Sequence, residues 1–267
     1  MGSVQANGTG YVFANSSTEA ETRFAALSTI YDRGTVRHLE DLGVAGGWHC
    51  LEIGGGNGTI AKWLAARVGS TGHVLTTDVD TRFLEPLRAP NLEVCRHNIG
   101  TDPLPESAFD LIHTRLVLMH VSERDTALAQ MISSLRPGGW LLMEEYDSCS
   151  MLPDSVANTN ETILETQLAM QRLLEDNGVN RRYGRLLPGL LRARGLKSVG
   201  AEARLFLWQG GSAGIALMRA NFEQLRKTMI ERNYITEQEF DKDLAQLDDP
   251  DLLMPSSILW SVWGRRP

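Results

Sequence analysis

The chain has 267 residues, 42% of them hydrophobic, and a net charge of −7 from 26 basic and 33 acidic side chains. That suffices for one sizeable core, at the upper end of single-domain size. No run approaches the ~18–20 apolar residues of a membrane span. The polar start, Met1 to Ser17, shows no apolar signal region, and the scattered basic residues form no stripe for a phosphate backbone. A cytoplasmic protein that engages neither membrane nor nucleic acid is expected.

The three cysteines, Cys50, Cys95 and Cys149, lack metal-type spacing. Two of them fall in apolar strands, where cysteine serves as a small hydrophobe. No metal is expected.

Residues 1–17 read as irregular. A helix over 18–30 follows, capped by Thr18, with Phe24, Leu27 and Ile30 at helical spacing. A second helix, 34–42, ends at Gly43. Strand one is 49–53, and its helix runs to Val68. Strand two is 73–78, a short helix spans 82–87, and strand three is 92–96. Strand four is 109–114, a helix covers 122–135, and strand five is 140–145. Strands alternating with helices mean an α/β fold, a doubly wound, mostly parallel sheet with helices on both faces. The near-continuous apolar strands agree with a twice-covered sheet.

Beyond Tyr146 the rhythm changes. Helices are expected over 155–177 and 184–194. A strand over 197–208 carries Val199, Ala201, Ala203, Leu205 and Leu207 on one face. Helices over 212–232 and 236–247 follow, and 258–264 closes a seventh strand. No linker or repeat divides the chain. It reads as one domain: an N-terminal arm (1–46), a core (47–147), and helical covers (148–183 and 210–255) over a pocket. The apolar residues of the covers (Leu164, Leu168, Met170, Leu217, Met218, Phe222) are core by default, with some lining the pocket.

The most informative stretch is Cys50 to Ala61. A strand ends in Glu52-Ile53, four glycines follow (Gly54, Gly55, Gly56, Gly58), and a helix begins. Glycines there permit positive φ and close approach to a ligand, and the helix N-terminus presents unpaired N–H groups. Two nucleotide-like ligands compete. Gly56-Asn57-Gly58-Thr59-Ile60-Ala61 fits the dinucleotide pattern, with Asp78 at the ribose-binding distance. That reading, an NAD-dependent oxidoreductase, has no Tyr-x-x-x-Lys pair for hydride transfer and leaves the Pro137-Gly138-Gly139 turn unexplained.

Glu52-x-Gly54-x-Gly56-x-Gly58 resembles motif I of class I, Rossmann-like, seven-stranded S-adenosylmethionine-dependent methyltransferases. Thr77-Asp78-Val79-Asp80 resembles their ribose-binding segment. Leu104-Pro105 with Phe109-Asp110 resembles their approach to strand four. Leu135-Arg136-Pro137-Gly138-Gly139 resembles their turn before strand five. The ends resemble a bacterial small-molecule, natural-product subgroup: Arg23-Phe24, Tyr31-Asp32 and Thr35 at the start, Trp263-Gly264-Arg265-Arg266-Pro267 at the close.

The resemblance implies S-adenosyl-L-methionine as cofactor and S-adenosyl-L-homocysteine as product. The glycine turn (Gly54, Gly55, Gly56, Asn57, Gly58) would lie against the cofactor. Glu52 would anchor its amino-acid end, and Asp78, with Val79 beside it, would accept the ribose hydroxyls. Relatives often place an Asp after strand three for adenine. Here Asn98 stands there, its amide oxygen still an acceptor, with Ile99 as apolar cover. Thr114 and Tyr31 complete the implied cofactor set, with Tyr11 and Tyr31 as a lid and a disordered arm as the alternative. Candidate catalytic residues are His120, His113, Glu145 and Asp147, each with a structural role as its alternative. Arg115 is expected to pair with carboxylates, with binding of a substrate acid as its alternative.

The reading is methyl transfer to a small, apolar or aromatic acceptor in secondary metabolism. A cofactor-bearing scaffold for cyclisation stays open, as does a homo-oligomer.

Overall fold

The computed structural model describes Phe13, residues 19–149 and residues 164–267. Tyr11 and residues 150–163, including the first part of the helix expected over 155–177, lie outside them.

Nine strands and seven helices are found among the described residues. A 23-residue helix α1 (Glu19–Asp41) precedes β1 (His49–Ile53), α2 (Thr59–Val68), β2 (His73–Asp78) and β3 (Leu92–Arg96). Then come β4 (Phe109–Arg115), α3 (Arg124–Ser134) and β5 (Leu135–Asp147). Next are α4 (Glu165–Asp176), α5 (Tyr183–Ala193), β6 (Lys197–Arg204) and β7 (Leu207–Gln209). The chain closes with α6 (Ala213–Glu231), α7 (Glu237–Gln246), β8 (Leu253–Pro255) and β9 (Ile258–Arg265).

The main sheet has seven strands in the order β3-β2-β1-β4-β5-β9-β6. The strands from β1 to β5 are parallel, and β9 runs antiparallel between β5 and β6. Strand pleating divides the core in two. Cys50, Leu111 and Leu142 join Leu39 of α1 and Ile60 and Leu64 of α2. Leu51, Ile112, Leu141 and Met143 join α3, α5 and the cover helices. The sheet is therefore buried on both faces, as its apolar strands require. The chain leaves β1 for β2 on one side and reaches β4 on the other. Their carboxyl ends thus flank the crevice where open α/β sheets bind ligands.

The structure corrects several expected elements. The two N-terminal helices are one. Gly34 does not break it: a Cβ there would run into the Arg204 guanidinium, so the glycine makes room for an arginine from the sheet edge. The helix expected over 82–87 is only a 3-10 turn at Glu85–Leu87. Strand five starts earlier, at Leu135, and takes in the glycine turn. The strand expected over 197–208 is two. Its second piece, β7, pairs with β8 in a separate ribbon, and the face shared by Ala201, Ala203, Leu205 and Leu207 is exposed throughout. Leu205 and Leu207 are exposed, and Trp208 is buried.

Helix α1 is seated on the sheet by polar contacts. Register places Glu52 beside His113 and Arg115 beside Glu144. His113 is fully buried, with Nδ1 2.6 Å from Glu52 Oε2 and Nε2 3.4 Å from Glu144 Oε2. Thr35 of α1 donates to Glu144 and accepts from Arg115 Nη1 at 2.9 Å. Arg115 Nη2 donates to Asp32 at 2.8 Å, and Ser261 of β9 donates to Glu144 Oε1 at 2.5 Å. Burial works to lower the His113 pKa, but the two carboxylates outweigh it and raise it to about 9. Burial works to raise Glu144, but His113 and Arg115 pull it down to about 2.

Two predictions follow from this packing. His113→Gln leaves two buried carboxylates without their cation and should cost about 3–5 kcal/mol in denaturant unfolding. The stabilisation from His113 is full below its usual pKa of 6.5 and is lost as pH rises through about 9. That from Glu144 is present above its usual 4.5 and is lost as pH falls through about 2. The alkaline loss of stability should therefore be flatter in His113→Gln than in the wild type. Separately, a Cβ on Gly184 of α5 would run into the Glu145 carbonyl. Gly184→Ala should lower stability by about 1–3 kcal/mol through overpacking, although alanine favours a helix by ~1 kcal/mol. A raised unfolding midpoint would refute the close packing of α5 on β5.

Candidate active site

A cavity of about 230 Å³ opens at the carboxyl ends of β1, β2 and β4. Its floor is the glycine turn. Gly54 and Gly56 line it, with φ of 70° and 56°, in the left-handed region that suits glycine. A Cβ on Gly54 would run into Val117, and one on Gly56 would sit 3.0 Å from the Phe24 ring. Gly58, also left-handed, starts α2.

Asp78 ends β2 at the edge of this floor. Its Oδ2 accepts from Gly56 N and its Oδ1 from Asp80 N, each at 3.1 Å. Burial raises its pKa, against those two bonds. Each carboxylate oxygen keeps capacity for another donor. Val79, Asn98 and Ile99 continue the wall. Asn98 Oδ1 accepts from Gly100 N at 3.0 Å and, like the Asp78 oxygens, keeps capacity for another donor.

The other predicted cofactor residues stand behind the lining. Glu52 is 4% exposed and is held by His113. Gly55 N donates to Thr77 O at 2.9 Å. Asn57 bonds Ser28 of α1 at 3.0 Å, which ties the turn to that helix. Thr114 is fully buried. Tyr31 is buried as well, and accepts from Tyr146 Oη at 2.7 Å. It supports Tyr146, which does line the cavity. The expected lid role does not match a side chain sealed beneath the wall.

Of the four catalytic candidates, only His120 reaches the cavity. Burial, then the charges of Arg23 and Arg124, push its pKa down to about 3, so its ring is neutral at ordinary pH. Its ring packs edge-on to Phe13, with centroids 6.2 Å apart. His113 is enclosed by its two carboxylates. Glu145 is fully buried and accepts from the N–H groups of Val117 at 3.2 Å, Leu118 at 2.7 Å and Met119 at 3.4 Å. Burial raises its pKa, against those bonds, to about 8. It anchors the loop that carries His120. Asp147 is 2% exposed and accepts from Arg185 Nε at 2.5 Å. None of these three is among the residues that line the cavity.

Arg23 and Phe24, in the run that carries the subgroup resemblance, also belong to the site, though no local signal in the sequence marks them for it. Arg23 lies over the Phe24 ring, 4.9 Å from its centroid, and both line the cavity. The far end of the cavity lies under the covers: Met170 and Gln171 of α4, Leu217, Met218 and Asn221 of α6, and Trp208 of β7. Leu164 and Phe222 are core, and Leu168 is 44% exposed. Among the described residues, no cluster of His, Cys, Asp or Glu is arranged to hold a metal, and no helix is long and apolar enough to cross a membrane.

Residues 51–143 match a protein-family model described as a methyltransferase domain. The ubiquinone/menaquinone biosynthesis C-methyltransferase UbiE of Pseudoalteromonas translucida is 33% identical over 112 residues, 39% of this chain and 45% of that protein. The chain thus spans about half the length of the curated relatives it matches. The fold is shared with the YcgJ protein of Bacillus subtilis, with a TM-score of 0.59 at 14% identity over 88% of this chain and 99% of that one. It is also shared with phosphoethanolamine N-methyltransferase 2 of Haemonchus contortus, solved with S-adenosylhomocysteine. There the TM-score is 0.58 at 14% identity, over 94% of this chain and 58% of that one. The match covers the glycine turn, Asp78 and the Pro137-Gly138-Gly139 turn together, which the dinucleotide pattern does not. Residues 51–143 thus match a methyltransferase domain, within a fold that solved methyltransferases share.

Proposed function

We propose that this chain transfers the methyl group of S-adenosyl-L-methionine to a small, apolar or aromatic organic acceptor. We place it in the cytoplasm and in natural-product metabolism, a placement supported by the likeness of its ends to that subgroup. One observation carries the activity. A single cavity joins the glycine turn and Asp78 to an apolar chamber beneath α4 and α6.

The residues fit the cofactor. Gly54 and Gly56 present bare backbone at the floor, and Asp78 has acceptor capacity for two ribose hydroxyls. Val79 and Ile99 supply apolar walls for an adenine ring. When bound, S-adenosyl-L-methionine supplies a methyl group already activated on a sulfonium. The chain's work is then to align the acceptor and exclude water. His120, a neutral ring at the chamber, is suited to orient an acceptor by hydrogen bonding. With so low a pKa it is a weak base, and the three other candidates are enclosed. Proximity and orientation therefore carry more of this reaction than proton removal does.

Isothermal titration tests the cofactor. The wild type should bind S-adenosyl-L-methionine and S-adenosyl-L-homocysteine; binding of NAD in their place would overturn the reading. Asp78→Ala removes two charge-assisted bonds and should weaken cofactor binding by roughly 10- to 100-fold. Gly54→Ala, which forces a side chain into Val117 at positive φ, should also weaken it. Unchanged affinity in Asp78→Ala would remove that residue from the ribose site. Product mass decides the activity: heavier by one methylene for methyl transfer, unchanged for a cyclisation scaffold.

A further inference from the structure

Two cover helices each turn one face to the acceptor end of the cavity. On α4 that face carries Gln167, Gln171 and Leu174, and on α6 Leu217 and Asn221, each set at the spacing of a single helix face. No charged side chain of either helix lines the cavity. The two guanidinium groups that do line it are engaged: Arg115 pairs with Asp32, and Arg23 lies over the rings of Phe13 and Phe24. Among the described residues that line the cavity, the one carboxylate is Asp78, at the opposite end. A charged group brought against the α4–α6 wall would lose its hydration and gain no counter-ion from that wall.

Gln171 and Asn221 supply the second observation. Both are half-buried, and neither amide makes a hydrogen bond among the described residues. Unlike the indole nitrogen of Trp208, which is sealed within the wall, their amide atoms stay open. Solvent satisfies them in the free protein. An acceptor that fills the chamber displaces that solvent. Each amide then needs a new partner for its N–H donors and for its oxygen, and leaving them unpaired is costly. A hydrocarbon supplies neither kind of partner, and a ketone only accepts. A hydroxyl brings one proton for two amide oxygens. A carboxamide brings two N–H groups and a carbonyl with two lone pairs, which matches two amides group for group.

We propose that the acceptor carries a carboxamide on an otherwise apolar body, and that Gln171 and Asn221 are the specificity-determining residues that bind this group. This rests on the methyl-transfer reading above. The carboxamide is held at the α4–α6 wall, while Leu174, Leu217 and Met218 cover the apolar remainder. An analogue of the same shape that lacks the N–H groups leaves the amide oxygens buried and unpaired. Selectivity therefore comes from the penalty on the wrong ligand as much as from the bonds to the right one.

The test is titration of three ligands of nearly one shape, naphthamide, acetylnaphthalene and naphthoate, into protein saturated with S-adenosyl-L-homocysteine. The wild type should bind naphthamide ~3- to 10-fold more tightly than acetylnaphthalene, which accepts but cannot donate, and more tightly than naphthoate. Gln171→Met and Asn221→Leu keep the volume of each side chain and remove its hydrogen bonding. Each should shrink naphthamide's advantage over acetylnaphthalene by roughly 2- to 5-fold. Neither should lower the unfolding midpoint or the affinity for S-adenosyl-L-homocysteine. Acetylnaphthalene or naphthoate binding the wild type as tightly as naphthamide would overturn the proposal, whatever the variants' stability. So would an unchanged naphthamide-to-acetylnaphthalene ratio in both variants, or no naphthamide binding by a protein that binds S-adenosyl-L-homocysteine. Failure of the wild type to bind S-adenosyl-L-homocysteine would instead overturn the methyltransferase reading.

Discussion

Everything on the α1 face of the sheet depends on the buried chain Glu52–His113–Glu144. Three charges at the carboxyl ends of β1, β4 and β5 would be prohibitive alone. Together they alternate in sign, and each nitrogen of the imidazolium faces a carboxylate. Helix α1 closes the arrangement with Thr35, while Asp32 takes the Arg115 guanidinium. The position of α1 matters to the site because Ser28 and Phe24 lie on that helix. Ser28 holds Asn57 in the glycine turn, and Phe24 packs at Gly56. A charge network that meets the cavity at Arg115 thus supports the cavity's floor through α1.

This changes how Glu52 acts. In the sequence it precedes the glycines as an anchor for the cofactor's amino-acid end. In the structure its carboxylate is committed to His113. Asp78 is the contrasting case. It too is acidic, at the end of a strand, and largely buried, but its neighbours are two backbone N–H groups and an open cavity. The same residue type at equivalent strand ends serves structure in one and ligand contact in the other, according to what faces it.

The sheet was legible in the sequence because its signals are local. Apolar runs punctuated by glycine and proline mark β1 to β4 within a residue or so, and left-handed glycines sit where the turn needed them. What escaped were features set by distant partners. Gly34 reads as a helix break until Arg204 is seen filling the space beside it. Leu205 and Leu207 share a face with Ala201 and Ala203; the alternation runs on unbroken, but that whole face is exposed and Trp208, of the opposite parity, is the buried residue. His113, Glu145 and Asp147 look alike as polar strand ends, and only cross-strand register and loop contacts show them enclosed. Of the catalytic candidates, His120 alone sits on a loop rather than in a strand, and it is the one that faces the cavity.

Glu144 and Glu145 show how much one residue of parity decides. Adjacent in β5, they point to opposite faces of the sheet. Glu144 meets a cation and stays charged. Glu145 meets only the N–H groups of Val117, Leu118 and Met119, and its proton is held to about pH 8. The first seats α1 beneath the glycine turn; the second holds the loop that carries Met119 and His120 into the chamber. Consecutive side chains of one strand thus support two parts of the cavity lining: its floor, through α1, and the loop of Met119 and His120.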